Sequence, residues 1–533
     1  MPETKIGLLS NFRNRNSRNF FDDIVNEENF VYVFIGRTTP WGPDDEPPDV
    51  ENTLIEENII WNDINGIKRI QPDDVTIAFR RIEWTPNRIY AEYDDAIDLT
   101  DRDFYVITDE NKVYKCISNN NRSPSTNKPT HTTFDVSNEA DGYKWKFMFS
   151  IPESLLDKFI APQFAPLVID QDVVDFANPG TIDNIKIDEP GSGYRSNASV
   201  DAGTELPVFV EGDGDQETSA SVLVTTVDGR IVTASILDGG SDYPFAPESR
   251  IPLALRQITD TGISQTAYGI GETNEFGQID TFDLVIEGSG YTNGPAQVVQ
   301  SSARAFAETD FEGRIINADV FTGREGQNFT QARAILVDEN TEGCPNCKLR
   351  PMISPIAGHG SDPQKEVFAN FVMINLRLAG EESFIELDDF RRIGLIEDPL
   401  EFGDTVNSDG NAQRFEGNIG DTRTRILLST GNEDFEVDET LYGESSGARG
   451  IELTKLNDDI VRVVVDRSIS RDLNFQVNET VRGLSSGATA SIVDIQDPDI
   501  EPLSGSILFI NNTEPVVREF DLQLETVTLV IDY

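Results

Sequence analysis

Residues 180–194 read GTIDNIKIDEPGSGY, and this stretch decides the fold because the chain repeats it. Residues 229–243 (GRIVTASILDGGSDY) and 277–291 (GQIDTFDLVIEGSGY) keep the same step from the first glycine to the tyrosine, and residues 313–329 are a looser copy ending in Phe329. Alternating apolar residues in each copy predict a strand, and the glycines predict a turn after which the aromatic ring packs back over that strand. The copies therefore predict a series of small β modules.

A second repeat lies nearer the end of the chain. Residues 435–449 (FEVDETLYGESSGAR) match residues 475–489 (FQVNETVRGLSSGAT) at a spacing of 40 residues. Apolar alternation broken by G-x-S-S-G-A predicts two tandem small β domains with a turn at each SSGA. The serine pairs favour turn chemistry over a nucleophile, because no histidine is nearby in sequence.

The remaining sequence is also mainly of β type. Short apolar runs such as residues 30–35 and 143–151 are separated by Pro, Gly, Asn and Asp, which is typical of strands and turns. One short helix is predicted near the start, where apolar residues have helical spacing and Ser17 or Asn19 could serve as the N-cap. These apolar residues are Phe20, Phe21, Ile24 and Val25.

Length and charge limit the possible classes of protein. At 533 residues the chain is expected to form two to four domains. Its 94 acidic and 43 basic residues give a net charge of −51, which disfavours nucleic-acid binding. A solvated surface is the ordinary reason for such an excess, and adaptation to a basic partner or to a saline habitat is the alternative. The chain has no long apolar run or signal peptide, so folding in a cytoplasm without membrane contact is expected.

The sequence offers little material for catalysis. Its only histidines are His131 and His359, and neither lies in a recognisable catalytic motif. Carboxylates are so numerous that an apparent acid pair has no diagnostic value. We therefore expect a protein that is not an enzyme, with no catalytic residue, no cofactor and no metal ligand.

Two segments nevertheless invite a metal hypothesis. Cys344-Pro-Asn-Cys347 has the spacing of a zinc knuckle and His359 follows, but His131 or a carboxylate would have to complete four ligands. Reduced thiols in a loop are the favoured interpretation, for these two and for Cys116. Residues 211–217 (EGDGDQE) could attract calcium, yet they lack the ligand order of an EF-hand, and a hairpin loop is favoured.

Four segments together resemble a known family. They are IGRTTPW (35–41), FRRIEW (79–84) followed by VYKCI (113–117), DGYKWKFMFSIP (141–152), and the end of the chain from LSGSILFINN onward (503–533). In this order they resemble the baseplate wedge subunit of T-even-type contractile-tailed phages, the gene-eight product family. The repeats depart from the short T-even form and are interpreted as insertions.

The resemblance implies a β-rich structural subunit of the phage tail. Such a protein would be a homodimer, would contact other baseplate wedge proteins, and would have no catalytic activity. It would reside in the tail baseplate of the virion after assembly in the host cytoplasm. A tail-associated carbohydrate-binding protein or depolymerase is the alternative, and a calcium-dependent adhesin is a third possibility.

The predicted fold class is mainly β and multi-domain. A β-sandwich-like core is expected from the N- and C-terminal segments, with inserted small β repeat modules and a short N-terminal helix. The expected divisions are an N-terminal core (1–175), inserted glycine-turn repeats (176–345), a return to the core (346–400), the tandem SSGA repeats (401–500) and C-terminal core strands (501–533). Interface candidates by residue type are Arg37, Trp41, Arg81 and Trp84, with ordinary packing as the alternative.

Overall fold

The computed structural model shows a protein that is mainly β, with 47% strand and 10% helix, as expected. It divides into two compact units, of which unit 1 comprises Met1–Ala78, Asp157–Ile160 and Asn370–Tyr533, and unit 2 comprises Phe79–Leu156 and Ala161–Ala369. The structure describes residues 9–159, 161–194, 206–213, 216–240, 243, 250–257, 265–310, 312–337, 347–378, 389–403, 411–429, 435–436, 438–457, 460–466, 473–517 and 525–533.

The helices are short. They are α1 (Ser10–Val25), α2 (Leu54–Asp63), α3 (Glu153–Lys158), α4 (Gln171–Asp175) and α5 (Pro363–Glu366), with one 3-10 turn at Pro72–Asp74. The first strands are β1 (Val31–Gly36), β2 (Ile64–Arg69), β3 (Val75–Arg80), β4 (Tyr105–Ile107), β5 (Lys112–Ser118), β6 (Ser137–Asn138), β7 (Lys144–Ser150) and β8 (Phe164–Pro166).

Among their described residues, the glycine-turn repeats and their flanks contain twelve strands. These are β9 (Ile182–Pro190), β10 (Leu206–Gly212), β11 (Gln216–Val227), β12 (Arg230–Asp238), β13 (Ile251–Arg256), β14 (Ala267–Thr273), β15 (Ile279–Ile286), β16 (Gly294–Gln300), β17 (Ala303–Thr309), β18 (Ile315–Glu325), β19 (Ala332–Leu336) and β20 (Cys347–Ile353).

The final part of the chain contains eleven strands within the ranges that the structure describes. These are β21 (Phe371–Arg377), β22 (Phe390–Glu397), β23 (Ile419–Asp421), β24 (Thr424–Leu428), β25 (Thr440–Gly443), β26 (Arg449–Asn457), β27 (Ile460–Val465), β28 (Thr480–Gly483), β29 (Thr489–Gln496), β30 (Ser506–Val516) and β31 (Thr526–Asp532).

Unit 1 contains the expected sandwich. One sheet has the order β23-β2-β1-β22-β30, and a second contains β31-β21-β3. Alternate residues of β1, including Val31 and Val33, share a core with Val372 and Ile374 of β21 and with Val527 of β31. Strands from both ends of the chain therefore complete one hydrophobic core, because each sheet contains strands from the N-terminal and the C-terminal part of the chain.

The strand β1 is apolar throughout because both of its faces are buried. Tyr32 and Phe34 point away from the sandwich and pack with Ile60 and Trp61 of α2. Thr53 begins α2 as its N-cap by accepting a hydrogen bond from the backbone N–H of Glu56 at 3.1 Å. This helix was not predicted, because its apolar residues do not follow one clear helical stripe.

The predicted N-terminal helix is confirmed, but its start was placed too late. The helix α1 begins at Ser10 with Leu9 as its N-cap residue, and Ser17 lies inside it with its Oγ donating to the carbonyl of Asn14 at 3.0 Å. Ser17 and Asn19 are therefore not caps. The polar first turns carry no apolar period to reveal the earlier start, whereas the apolar residues from Phe20 onward pack against the sandwich core.

Unit 2 begins with a small sheet of aromatic strands in the order β4-β5-β7-β6. Tyr143 stacks on Trp145 with ring centroids 5.5 Å apart, and Tyr90 meets Trp145 edge-on at 5.7 Å. All three rings are buried. The predicted strand over residues 143–151 is confirmed as β7, and its aromatic residues form this core.

The four glycine-turn copies pair reciprocally in unit 2. The backbone N–H of Phe329, which ends the fourth copy, donates to the carbonyl of Gly180, which begins the first, and Tyr194 N–H donates to Gly313 O, both at 3.1 Å. The second and third copies repeat this exchange through Tyr243 N–H to Gly277 O at 3.1 Å and Tyr291 N–H to Gly229 O at 2.9 Å. All four aromatic rings are buried, as expected from the repeat.

Each pair of copies builds one β module. Module A contains β9, β10 and β17–β20 around a core that includes Tyr194 and Phe329, and module B contains β11–β16 around Tyr243 and Tyr291. Module B is inserted in module A between β10 and β17. The copies therefore do not form a linear series of four, because each copy needs a partner to cover its apolar face.

The close backbone contact at Gly180 predicts that alanine is more destabilising there than at Gly193. Gly180 has φ of +61°, and a Cβ there would lie 2.4 Å from the backbone nitrogen of Phe329. Gly193 has φ of +88° and nothing within 4 Å of the same position. Gly193→Ala is expected to cost about 1 kcal/mol of backbone strain. Gly180→Ala should cost at least about 2 kcal/mol more, because it also pushes the paired backbone apart.

Chemical denaturation of the two purified variants measures this difference. Equal loss of stability in Gly180→Ala and Gly193→Ala would show that the exchange between the first and fourth copies does not hold module A together.

The SSGA repeats also combine, in unit 1. Their strands form a single closed barrel in the order β24-β27-β26-β25-β28-β29. Phe435 and Phe475, the first residues of the two copies, are both buried in its core. The expectation of two separate tandem domains is therefore corrected, because β25 of the first copy pairs with β28 of the second.

The SSGA turns are stabilised by exchanged glutamates. Glu439, from the first copy, accepts hydrogen bonds from the backbone N–H groups of Ser485 and Ser486 at 3.1 Å and from the Ser486 hydroxyl at 2.7 Å. Glu479, from the second copy, accepts from Ser445 and Ser446 in the same manner at 2.9–3.2 Å. We call these contacts the glutamate latches. The prediction that the serine pairs make turns is thus explained by partners 33–47 residues away.

The units divide the chain differently from the expected boundaries. Residues 79–156, expected within the N-terminal core, belong to unit 2, and the chain returns to unit 1 at Asn370. Separately, the described part of the chain has no helix with the length and apolar character required to cross a membrane.

Candidate functional site

The interface candidate Trp41 is buried inside unit 1. The Arg37 guanidinium lies over its ring, 3.9 Å from the centroid, and its indole N–H donates to the carbonyl of Thr513 at 3.0 Å. Arg37 also pairs with Asp63 at 3.3 Å. Packing within unit 1 therefore accounts for the contacts of Trp41 and Arg37. These contacts fix the start of the segment that begins at residue 42.

Arg81 and Trp84 lie in unit 2 and are partly exposed. The Trp84 indole N–H donates to the hydroxyl of Ser125 at 3.2 Å, and the Arg81 guanidinium pairs with Glu83 at 3.0 Å. Both side chains thus have local partners while keeping accessible surface.

The segment after Trp41 forms an arm that crosses the surface of unit 1. We call residues 42–59 the acidic arm. Arg391 makes two hydrogen bonds to Asp44 at 2.8 and 2.9 Å, and the amide of Asn512 donates to the carbonyl of Pro48 at 2.9 Å. The hydrogen bond from Arg391 lowers the pKa of Asp44. The arm is therefore held against the core at defined points.

Arg392 anchors the far end of the acidic arm. Its buried guanidinium contacts Glu56 at 3.3 Å, Asp63 at 2.9 Å and the side-chain oxygen of Asn512 at 2.9 Å. Burial raises the pKa of Asp63, although Arg392 and Arg37 oppose the change. The inner acids of the arm and α2 thus face arginines, which fixes the direction in which the remaining side chains point.

The outer side of the arm combines apolar and acidic groups. Leu54 and Ile55 are 75% and 74% exposed, and Ile59, one helical turn after Ile55, is 42% exposed. Among the residues that the structure describes, none forms an ion pair with the side chains at five acidic positions. These positions are Asp45, Glu46, Asp49, Glu51 and Glu57.

A buried ionic cluster lies in unit 2. The Lys115 ammonium donates to Glu366 Oε2 at 2.7 Å and to His359 Nδ1 at 2.9 Å, and His359 Nε2 lies 3.3 Å from Asp183 Oδ2. Tyr93 meets the His359 ring edge-on at 4.8 Å. The cluster joins β5, β9 and the segment around α5, so that charges distant in sequence compensate each other.

The electrostatics of the cluster favour ion pairing. Burial opposes ionisation of Glu366, but Lys115 and His359 outweigh it and lower the pKa of Glu366 to about 2. Burial also opposes ionisation of Asp183, whose pKa is nevertheless lowered by its hydrogen bond with His359. Burial lowers the pKa of Lys115 against the pull of Glu366. Each of these side chains contacts another member of the cluster. Lys115 and Asp183, on the two nitrogens of the ring, hold His359 in place.

The structure places the residues considered as metal ligands in different surroundings. Cys347 is disulfide-bonded, so the expectation of a reduced thiol there is wrong and its thiolate is not available to zinc. Cys344 lies outside the described residues. Cys116 is a free, buried thiol, as expected, and burial raises its pKa. His359 belongs to the buried cluster, whereas His131 packs against Tyr114 with ring centroids 5.2 Å apart.

The acidic segment over residues 211–217 is not a hairpin. It connects β10 of module A to β11 of module B, and these strands pair with other partners. Glu211 accepts a hydrogen bond from the Tyr268 hydroxyl at 2.8 Å, and Asp213 accepts from the backbone N–H of Thr330 at 2.8 Å. The hairpin prediction failed because β10 and β11 belong to different modules. The local sequence does not reveal that module B is inserted in module A. In the described part of the chain no group of three or more His, Cys, Asp or Glu side chains is placed to hold a metal.

Two comparisons of the sequence with known proteins find no relative. No protein-family model matches the chain. A search of curated proteins finds no significantly similar sequence. The fold alone defines the class, which is a multi-domain β protein whose repeats pair into modules. Within that class, the acidic arm is the feature that sequence reasoning missed, although acids on both sides of Val50, Leu54 and Ile55 were a readable signal.

Proposed function

We propose that the protein is a structural subunit of the baseplate wedge of a contractile-tailed phage, assembling through contacts with other wedge subunits. The order of the four segments that resemble the wedge family carries this proposal. The first of them ends at Trp41, and its indole contacts Thr513 of the last segment, 472 residues away. A core assembled from both ends, with repeats inserted between them, supports the relationship to a shorter family member.

The middle segments support the proposal in the same way. Cys116 of the second segment pairs with Trp145 of the third across β5 and β7, and Tyr114 pairs with Phe147. Phe79 meets Phe149 edge-on at 5.7 Å. Segments that resemble one family in order are therefore neighbours in one aromatic core, as expected if they descend from a common fold.

The location of the protein in intact particles tests the proposal. Immunogold labelling with antibodies against the purified chain is expected to mark the distal end of the tail, where a baseplate lies. Label on fibre tips, or particles without label, would contradict it. The purified chain should also scatter light as a dimer, at twice its mass of 59.2 kDa.

The alternative of a saccharide depolymerase has a separate readout. Incubation of the purified chain with host envelopes should release no soluble saccharide if the protein is a wedge subunit. Release that depends on the intact chain would replace the structural proposal with an enzymatic one.

A further inference from the structure

We infer that the acidic arm is a docking surface for a protein partner that presents lysines and arginines around an apolar groove. This inference does not depend on the baseplate assignment, since it rests on the exposure, charge and attachment of residues 42–59. It names a surface and a partner chemistry to which the proposed function assigns no residues.

The acids of the arm belong to two groups, one paired with arginines and one facing solvent. Asp44 and Glu56 face inward and pair with Arg391 and Arg392. Glu51 and Glu57 face solvent and have no cationic partner among the described residues. The inner acids are sufficient to attach the arm, so the outer acids are available to another molecule.

An apolar surface lies between those charges. Leu54 and Ile55 are about three-quarters exposed, and Ile59 continues the same helix face as Ile55. Burying such side chains in a groove stabilises a complex by roughly 1.5–3 kcal/mol each. Apolar residues surrounded by charges of one sign are typical of a helix that docks in a complementary groove.

The charge of the arm limits the kind of partner that can bind to it. An acidic rim attracts cationic side chains and repels phosphate, which excludes nucleic acid and anionic membranes. A second copy of this chain carries a net charge of −51, so self-association through an acidic arm is electrostatically opposed. A different protein with a basic, apolar-lined groove is therefore the occupant that fits.

The attachment of the arm favours docking without rearrangement. The anchors at Asp44, Pro48 and Glu56 fix the arm at both ends and in the middle. A surface already held in one conformation loses little conformational entropy on binding. The arm is thus presented as a formed surface.

Binding of a synthetic probe tests the inference. The probe is a fluorescent amphipathic helix of leucine and lysine, with a leucine–glutamate helix as its negative control, titrated against the full-length protein. Ile55→Ser/Ile59→Ser is expected to weaken binding about tenfold or more. Glu51→Gln/Glu57→Gln should weaken it several-fold at low salt, with the difference disappearing near about 0.5 M salt.

Matched control variants separate the arm from the rest of the acidic surface. Val227→Ser/Val232→Ser changes two apolar residues that are also more than half exposed, and Glu275→Gln/Asp280→Asn changes two exposed acids elsewhere. Neither control should alter binding. Equal weakening in arm and control variants, or no binding of the lysine probe, would overturn the inference.

Sedimentation of the free protein tests whether a second copy of the chain binds to the arm instead of a basic partner. If the wild-type chain self-associates and Ile55→Ser/Ile59→Ser makes it monomeric, the arm contacts a second copy, and a basic partner is excluded. If dimerisation persists in this variant while probe binding is lost, the docking surface is separate from the dimer contact. Failure of the baseplate assignment would change neither readout.

Discussion

Lys115→Met is expected to destabilise unit 2 by about 4 kcal/mol, because it leaves the buried carboxylate of Glu366 without its ammonium partner. The Lys115 side chain is 1% exposed, and its Nζ lies 2.7 Å from Glu366 Oε2. The same change removes the donor to His359 Nδ1. Chemical denaturation measures the loss of stability. Hydrogen exchange of the backbone amides in β5 and around α5 shows where it occurs.

Two further variants establish that the cause is the unpaired charge. Lys112→Met, at the start of the same strand, removes a partly exposed pair with Glu110 and a hydrogen bond to the carbonyl of Thr130, and should change stability by only about 1 kcal/mol. Lys115→Met/Glu366→Gln should recover most of the loss, because glutamine can still accept from the N–H of Gly360 without a buried charge. A double variant no more stable than Lys115→Met would contradict this explanation.

The cluster also predicts a pH dependence. The pKa of Glu366 is lowered from 4.5 to about 2 in the folded protein, so the unfolded chain binds the proton more readily. The resulting stabilisation is fully present above about 4.5 and is lost as the pH falls towards 2. The difference in stability between wild type and Lys115→Met should therefore shrink over this acidic range. A difference that stays constant would show that Lys115 does not set the pKa of Glu366.

The second large effect is expected at the glutamate latches. Glu439→Ala should destabilise the barrel by about 3 kcal/mol, because it leaves the N–H groups of Ser485 and Ser486 without their acceptor. Glu479→Ala should have a similar effect, since the two copies make equivalent contacts. Glu444→Ala, at an exposed position in the first SSGA turn, is the control and should remain close to wild type.

Acidic pH should weaken one latch in a defined direction. Burial opposes ionisation of Glu439, but hydrogen bonds from Ser486, Glu436 and Ser485 outweigh it and lower the pKa of Glu439. Its stabilisation is present above the ordinary glutamate pKa and is lost as the pH falls through the lowered value. The stabilities of wild type and Glu439→Gln should thus converge in acid, as followed by thermal melting of the barrel.

For the alanine variants, an unequal loss of stability in Glu439→Ala and Glu479→Ala would contradict the equivalence of the two copies.

Much of the local structure could be predicted because it depends on neighbouring residues. Short apolar runs bounded by turn residues identified β1 and β7, and glycine followed by an aromatic ring identified the turns at Tyr194 and Tyr291. The helix ending at Val25 was recognised from its apolar face, although its polar first turns were not. Patterns of this kind are short, and the physics that makes them operates over one strand or one turn.

The candidate surface was not predicted, because its attachment depends on distant residues. The acidic arm is held by Arg391 and Arg392, more than 330 positions later in the chain, and by Asn512 near the end. Sequence alone cannot tell which of its acids face arginines and which face solvent. The same reason explains why His359, considered as a zinc ligand, belongs with Lys115 and Glu366 instead.

The sequence by itself determined that this protein is mainly β, that its glycine-turn and SSGA units are repeated, and that the aromatic ring ending each glycine-turn copy packs back over its strand. Only the tertiary structure decided which copies are partners: the first with the fourth, the second with the third, and the two SSGA copies in one barrel. The physical reason is that each copy has an apolar face and unpaired backbone groups that it cannot cover alone. Every copy fits the same kind of partner, so the choice among copies depends on chain connectivity and packing in three dimensions.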